Sequence, residues 1–182
     1  APVFVEALPA DVTEECDAVT PAVTLTATDN CDADVTVTFT EVRTDGSCED
    51  TYTLTRTWVA TDNCSNSTTH VQTVTVEDTT APVFVEALPA DVTEECDAVT
   101  PAVTLTATDN CDADVTVTFT EVRTDGSCED TYTLTRTWVA EDNCSNTTTH
   151  VQTVTVEDTT APVFVEALPA DVTEECDAVT PA

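Results

Sequence analysis

Carboxylates crowd the turns of this chain, and their spacing points to cation chemistry. "TVEDTTAP" carries Glu77 and Asp78, "TDNCDAD" carries Asp109, Asp112 and Asp114, and "VAEDNC" carries Glu141 and Asp142. Ca2+ takes about six to eight oxygen ligands, and carboxylates are their usual source. The plain alternative is a set of solvated turn acids, since Asp and Asn favour turns for backbone reasons alone.

Sulfur is the second candidate chemistry. Cysteines stand at Cys16, Cys31, Cys48 and Cys64, again at Cys96, Cys111, Cys128 and Cys144, and once more at Cys176. No two form a CxxC pair, which argues for disulfides rather than zinc. Disulfides imply an oxidising compartment, so an extracellular location is expected. Catalytic groups are scarce. The two histidines, His70 and His150, each lie in a Thr-rich run and are expected to be exposed strand residues. No HExxH, Ser–His–Asp order or glycine-rich phosphate loop occurs, and the only glycines are Gly46 and Gly126. No enzyme is expected. There is no lysine, which excludes Lys–Asn isopeptide cross-links.

These groups must be positioned by something, and the chain supplies it twice. Residues 1–80 return as 81–160 with two changes, Thr61 to Glu141 and Ser67 to Thr147, and 161–182 begin a third copy. Such a period marks an array, here domains 1–80 and 81–160 and the start of a third at 161–182. The third copy breaks off in mid-repeat, so the chain reads as an internal piece of something longer.

Within a repeat the period is two. "AVTLTAT" sets Val23, Leu25 and Ala27 against Thr24, Thr26 and Thr28; "VTVTFT" and "TYTLTRTWVA" alternate likewise, and "QTVTVED" closes the unit. "PVFVEALP" and "DVTEEC" read as short Pro-bounded strands. The fold class is all-β: tandem Ig-like β-sandwich domains in a linear array. Two residues break the pattern. Arg56 shares the parity of Leu54 and Trp58, which places it at the rim or against the indole. Val42 has the opposite parity to Phe39, which predicts a bulge or sheet switch near Glu41.

The sandwich fixes where the acids and cysteines meet. An incoming linker lands at the end that carries the B–C and F–G loops. Glu77 and Asp78 of one repeat then approach Asp109, Asp112, Asp114 and Asp142 of the next, with Glu141 close by, as an interdomain Ca2+ site. Glu157 and Asp158 repeat the arrangement toward the third copy. One strand separates successive cysteines, so they alternate between the two ends. A strand of eight residues spans roughly 26 Å, whereas bridged Cα atoms lie within ~7 Å. The expected pairs are Cys16–Cys48, Cys31–Cys64, Cys96–Cys128 and Cys111–Cys144. Cys176 is expected to pair beyond Ala182.

The charge limits partners. Thirty-six acids against four arginines give a net −32. That surface repels nucleic acid and anionic membranes and attracts cations. No stretch approaches the ~18 apolar residues of a membrane-spanning helix. "NST" at Asn66, "NTT" at Asn146 and the "DTT" that ends on Thr79 and Thr80 are weak glycosylation signals, with Thr79 the acceptor in the last.

The strings "TATDNC", "WVATDNCSN" and "VTVEDTTAPVF" resemble the hyalin-repeat (HYR-like) family of Ig-like modules, and especially the tandem repeats of giant adhesins on gliding Bacteroidetes. The resemblance covers the whole period. It departs where hyalin repeats usually read Ala-Gly and this chain has Cys64 and Ser65. It implies a stalk segment of a secreted cell-surface filament, exported by type IX secretion and used in attachment and gliding motility. Partners would be further repeats, the motility machinery, and surfaces or polysaccharide gripped by other parts. The alternatives are a repeat that itself binds carbohydrate or a surface, and a surface-layer or sheath component.

Overall fold

The computed structural model describes residues 1–173 and 175, and these contain strands and no helix. Cys176 lies outside the described residues. The first repeat comprises β1 (Val3–Phe4), β2 (Val12–Glu15), β3 (Ala27–Thr28), β4 (Thr36–Asp45), β5 (Tyr52–Thr61) and β6 (Ser67–Glu77). The second repeats them as β7 (Val83–Phe84), β8 (Val92–Glu95), β9 (Ala107–Thr108), β10 (Thr116–Asp125), β11 (Tyr132–Glu141) and β12 (Thr147–Glu157). Each repeat has a four-stranded sheet, ordered β2-β6-β5-β4 in the first, and a two-stranded sheet, β1-β3. β2 runs parallel to β6, as β8 does to β12, and the other pairings are antiparallel.

The alternation of β5 builds the core. Leu54, Trp58 and Ala60 are buried with Val74 and Val76 of β6, and Leu25 joins them from the opposite layer. Burying side chains of this size stabilises by ~1.5–3 kcal/mol each. Polar residues on the same inner face hold a layer that has little ladder of its own. Trp58 Nε1 donates to the Val23 carbonyl at 3.1 Å, and Arg56 to that of Thr20 at 2.7 Å. From β6, Thr68 and Gln72 donate to the carbonyls of Pro2 and Ala10, and His70 Nε2 lies 2.9 Å from the Pro9 carbonyl oxygen. These side chains replace strand partners, so β1 and β3 are two residues each and "AVTLTAT" is mostly not strand.

The two parity breaks resolve differently from expectation. β4 pairs with β5 without interruption from Thr36↔Thr61 to Asp45↔Tyr52, so there is no bulge. The inner-face positions after Phe39 are simply polar. Glu41 accepts from Arg56 Nε at 2.7 Å, and Arg43 lies 3.7 Å from the Tyr52 ring centroid. Val42 is therefore exposed. Arg56 is not at the rim but buried, only 3% exposed. His70, expected to be exposed, is half-buried beside Trp58.

The joint between repeats

Two turns present the cysteines at opposite ends of each sandwich. The β4–β5 turn closes with Gly46 N donating to the Thr51 carbonyl at 2.8 Å. A Cβ on Gly46 would sit 2.8 Å from that same oxygen, so only glycine fits, and the turn carries Cys48. At the other end, Asp62 Oδ1 accepts from Cys64 N and Asn66 N. Ser65 takes φ 66° and Ser145 φ 69°. That is the left-handed region favouring glycine, where hyalin repeats usually have one.

The bridges cross between repeats. Cys16 joins Cys111 and Cys48 joins Cys144, with Cα separations of 6.0 and 5.3 Å. The expected pairs Cys16–Cys48, Cys31–Cys64, Cys96–Cys128 and Cys111–Cys144 do not form, and Cys31, Cys64, Cys96 and Cys128 are free thiols. Cys16 and Cys48 do share one end, but Cys16 follows edge strand β2 and Cys48 lies in the β4–β5 turn at the other side of the sheet. Two to three strand spacings, ~10–14 Å, separate them, too far for a bridge. Cys31 and Cys64 lie on touching turns, where Asn63 N donates to Asp32 Oδ2 at 2.8 Å, yet both are exposed at the face where another repeat would dock.

Between the bridges the joint gathers carboxylates. Candidate ligand oxygens of Asp78, Asp109 and Asp142 lie within 4.8 Å of one another, and Glu15 reaches Asp78 as closely. Asp109 Oδ1 accepts from Cys111 N at 2.9 Å, and Asp142 Oδ1 from Cys144 N at 2.9 Å, so these acids also hold the bridged cysteines in place. Asp78 Oδ2 and Asp109 Oδ2 are buried with no hydrogen-bond partner. Burial pushes the Asp78 carboxyl above its ordinary value, and Asp109, Asp142 and Asp50 add to the effect. All four arginines pair elsewhere, with Asp45, Glu41, Asp125 and Glu121. Orphaned, buried, mutually repelling oxygens with no protein cation fit a hard divalent ion.

The other acids expected at the site are placed nearby. Asp112 is buried but committed to the amides of Asp114 and Asn143. Asp112, Asp114, Glu141 and Asp142 line an adjoining cleft of about 350 Å3 with Glu49. The Glu77 side chain is exposed, and its carbonyl accepts from Cys16 N. The candidate glycosylation residues are engaged in hydrogen bonds. Asn66 Nδ2 donates to Asp62, Asn146 Nδ2 to Asp142 and to the Asp78 carbonyl, and the Thr79 hydroxyl to Glu15. Sequence reasoning missed Glu15 and Asp50, the latter accepting from Asn143 Nδ2 at 2.6 Å across the joint. Glu15 adjoins Cys16 and Asp50 lies two residues past Cys48, and that proximity was the available signal.

Residues 5–76 match the family of HYR-like domains with 4 cysteines. The matched stretch recurs at 85–156 with the two changes given above. No curated protein matches the chain. Among solved structures the chain is similar to Drosophila N-cadherin EC1-4, at 12% identity and TM-score 0.35, covering 87% of this chain and 50% of that one. It is also similar to protocadherin gamma B2 domains 1–5, at 16%, 0.34, 91% and 41%. Human mucin-like protocadherin EC1-2 gives 14%, 0.32, 84% and 98%. The chain thus spans half or less of the first two.

Proposed function

We propose that this chain is a run of spacer modules in the stalk of an extracellular adhesion filament, with domains at 1–80 and 81–160 and a third beginning at 161. The observation that carries the reading is the joint: two disulfides and a knot of buried carboxylates cross from one repeat to the next. A module that binds or reacts alone has no need of such a joint, whereas a rod does. The HYR-like match and the bridges suit an extracellular, oxidising setting. The net charge of −32 keeps neighbouring filaments apart. The sequence resemblance refines the setting to the gliding adhesins of Bacteroidetes, exported by type IX secretion and attached to the cell surface, with the adhesive tip elsewhere. The role is structural and non-catalytic.

In this reading Asp78, Asp109 and Asp142, with Glu15, hold Ca2+, while Glu77, Asp112 and Asp114 supply surrounding negative charge. The test is calorimetric melting of the oxidised chain in Ca2+ and in chelator. Ca2+ is expected to raise the melting temperature, and Asp109→Asn with Asp142→Asn to abolish the rise. An unchanged melting temperature in the unaltered chain would remove the metal from the account. Specific retention of the chain on polysaccharide would favour the alternative, a repeat that grips carbohydrate itself.

A further inference from the structure

A second group of ligand atoms meets at the joint, and this one contains sulfur. Cys111 Sγ and one carboxylate oxygen each from Glu15 and Asp78 lie within 4.8 Å of one another. Cys16 adds a fourth atom, since its sulfur is bonded to that of Cys111. Asp78 is 6% exposed, and its Oδ2 is buried with no hydrogen-bond partner. Glu15 is held in place by Thr79, whose amide and hydroxyl both donate to it. Cys16 N donates to the Glu77 carbonyl at 3.0 Å. Asn110 Nδ2 donates to Cys111 Sγ at 3.1 Å, a bond that strengthens when the sulfur is charged. The other bridge has a different setting. Among the described residues no pair of acids gathers at the sulfur of Cys48 or Cys144. Those sulfurs lie beside the Thr51 hydroxyl and the Asn143 side-chain carbonyl.

We infer that, when the Cys16–Cys111 bridge is reduced, the joint binds Zn2+ on the Cys16 and Cys111 thiolates with Glu15 and Asp78, the ion replacing the bridge as the cross-link between repeats. Two sulfurs and two carboxylate oxygens make a four-coordinate set that suits Zn2+, and thiolates select it over Ca2+. With Zn–S ~2.3 Å and Zn–O ~2.0–2.2 Å, tetrahedral ligand atoms stand about 3.4–3.8 Å apart. The atoms at the joint already converge to nearly that spacing. The Cys16 and Cys111 Cα atoms, 6.0 Å apart, leave room for the freed sulfurs to part. No CxxC spacing announces the site, because its two cysteines come from different repeats. The bridge exists as two thiols wherever the compartment is reducing. A phosphine brings the chain to that state in vitro. It gives two electrons to the disulfide and becomes a phosphine oxide, water supplying the oxygen and the two protons that make the thiols. Zn2+ then displaces those protons to solvent. The inference rests on the cross-repeat joint and not on the Ca2+ reading, which needs Asp109 and Asp142.

The test uses the full chain with every cysteine but Cys16 and Cys111 replaced by serine, kept reduced by a phosphine and titrated with Co2+ as a coloured stand-in for Zn2+. One ion per chain is expected, with a sulfur-to-cobalt charge-transfer band that Zn2+ abolishes by displacing the Co2+. Glu15→Gln and Asp78→Asn should each weaken binding by about tenfold or more, since loss of even an outer-sphere partner costs that much. Asp109→Asn with Asp142→Asn should leave it unchanged, so failure of the Ca2+ reading and failure of this one are separable. A companion chain that keeps only Cys48 and Cys144 should lack the tight site. Emission from Trp58 and Trp138, both buried, reports whether each variant is folded. As a second measurement, the unaltered chain is reduced and alkylated with and without Zn2+. Zn2+ is expected to shield Cys16 and Cys111 above the other cysteines, and cleavage at the four arginines places them in separate peptides. Absence of the charge-transfer band, two chains per ion, equal affinity in the Glu15→Gln and Asp78→Asn chains or in the companion, or even alkylation of all cysteines would each overturn the inference.

Discussion

Asp78 carries an electrostatic cost that the rest of the joint does not relieve. Its Oδ2 has no partner and its carboxyl is pushed above the ordinary range by burial, then by Asp109, Asp142 and Asp50. For an acid whose folded value is raised, the folded state holds the proton more tightly. Stability is then lost as pH rises through the window between the unfolded value, ~4, and the raised folded one. Glu6, Glu86, Glu14 and Glu94 act in the opposite sense. Hydrogen bonds from Thr26, Thr106, Thr20 and Thr100 lower them, so their stabilisation is present above ~4 and lost as pH falls through their folded values. Asp78→Asn is accordingly expected to stabilise the chelator-treated chain at neutral pH. A gain of about 1 kcal/mol would raise the melting temperature by roughly 2–4 °C, and the decline that sets in above pH ~4 should flatten. A destabilised Asn variant at neutral pH in chelator would contradict this. The acidic turns could be read from the sequence, but not Glu15 or Asp50, because their role depends on which ends meet.

At the scale of elements, one sheet organises the other through side chains. β5 and β6 were legible because Tyr52, Leu54, Trp58, Val74 and Val76 keep a strict period of two. The opposite layer was legible only as extended chain, since its carbonyls are satisfied by Arg56, Trp58, Thr68 and Gln72 rather than by a ladder. Arg56 announced itself as an anomaly of parity. Burial was not the natural inference for a cation, because a buried charge is tolerated only when paired, and Glu41 was hidden behind a supposed bulge. Arg56→Leu leaves the Thr20 carbonyl without its donor and Glu41 without its partner. It is expected to cost about 2 kcal/mol in a denaturant melt, discounted because Glu41 is partly exposed. An unchanged midpoint would show that the tie to Thr20 contributes nothing.

For the whole molecule, the bridges decide how force travels. Each links residues 95 or 96 positions apart, so tension enters the second repeat through sulfur and bypasses the linker at Asp78–Ala81. A repeat stapled on both faces would carry load along the short spans Cys96–Cys111 and Cys128–Cys144, the rest of its chain being shielded. Cysteine spacing set the position of each cysteine along the strands, and so the correct end. It could not give the position across the sheet, which keeps Cys16 from Cys48. Single-molecule stretching of the oxidised chain from its two termini, before and after reductant, tests the cross-repeat joint most directly. At ~3.5 Å per residue, reduction is predicted to release about 330 Å of extra contour in one step. Increments of about 110 Å from each repeat separately would mean bridges within repeats, and would contradict the account.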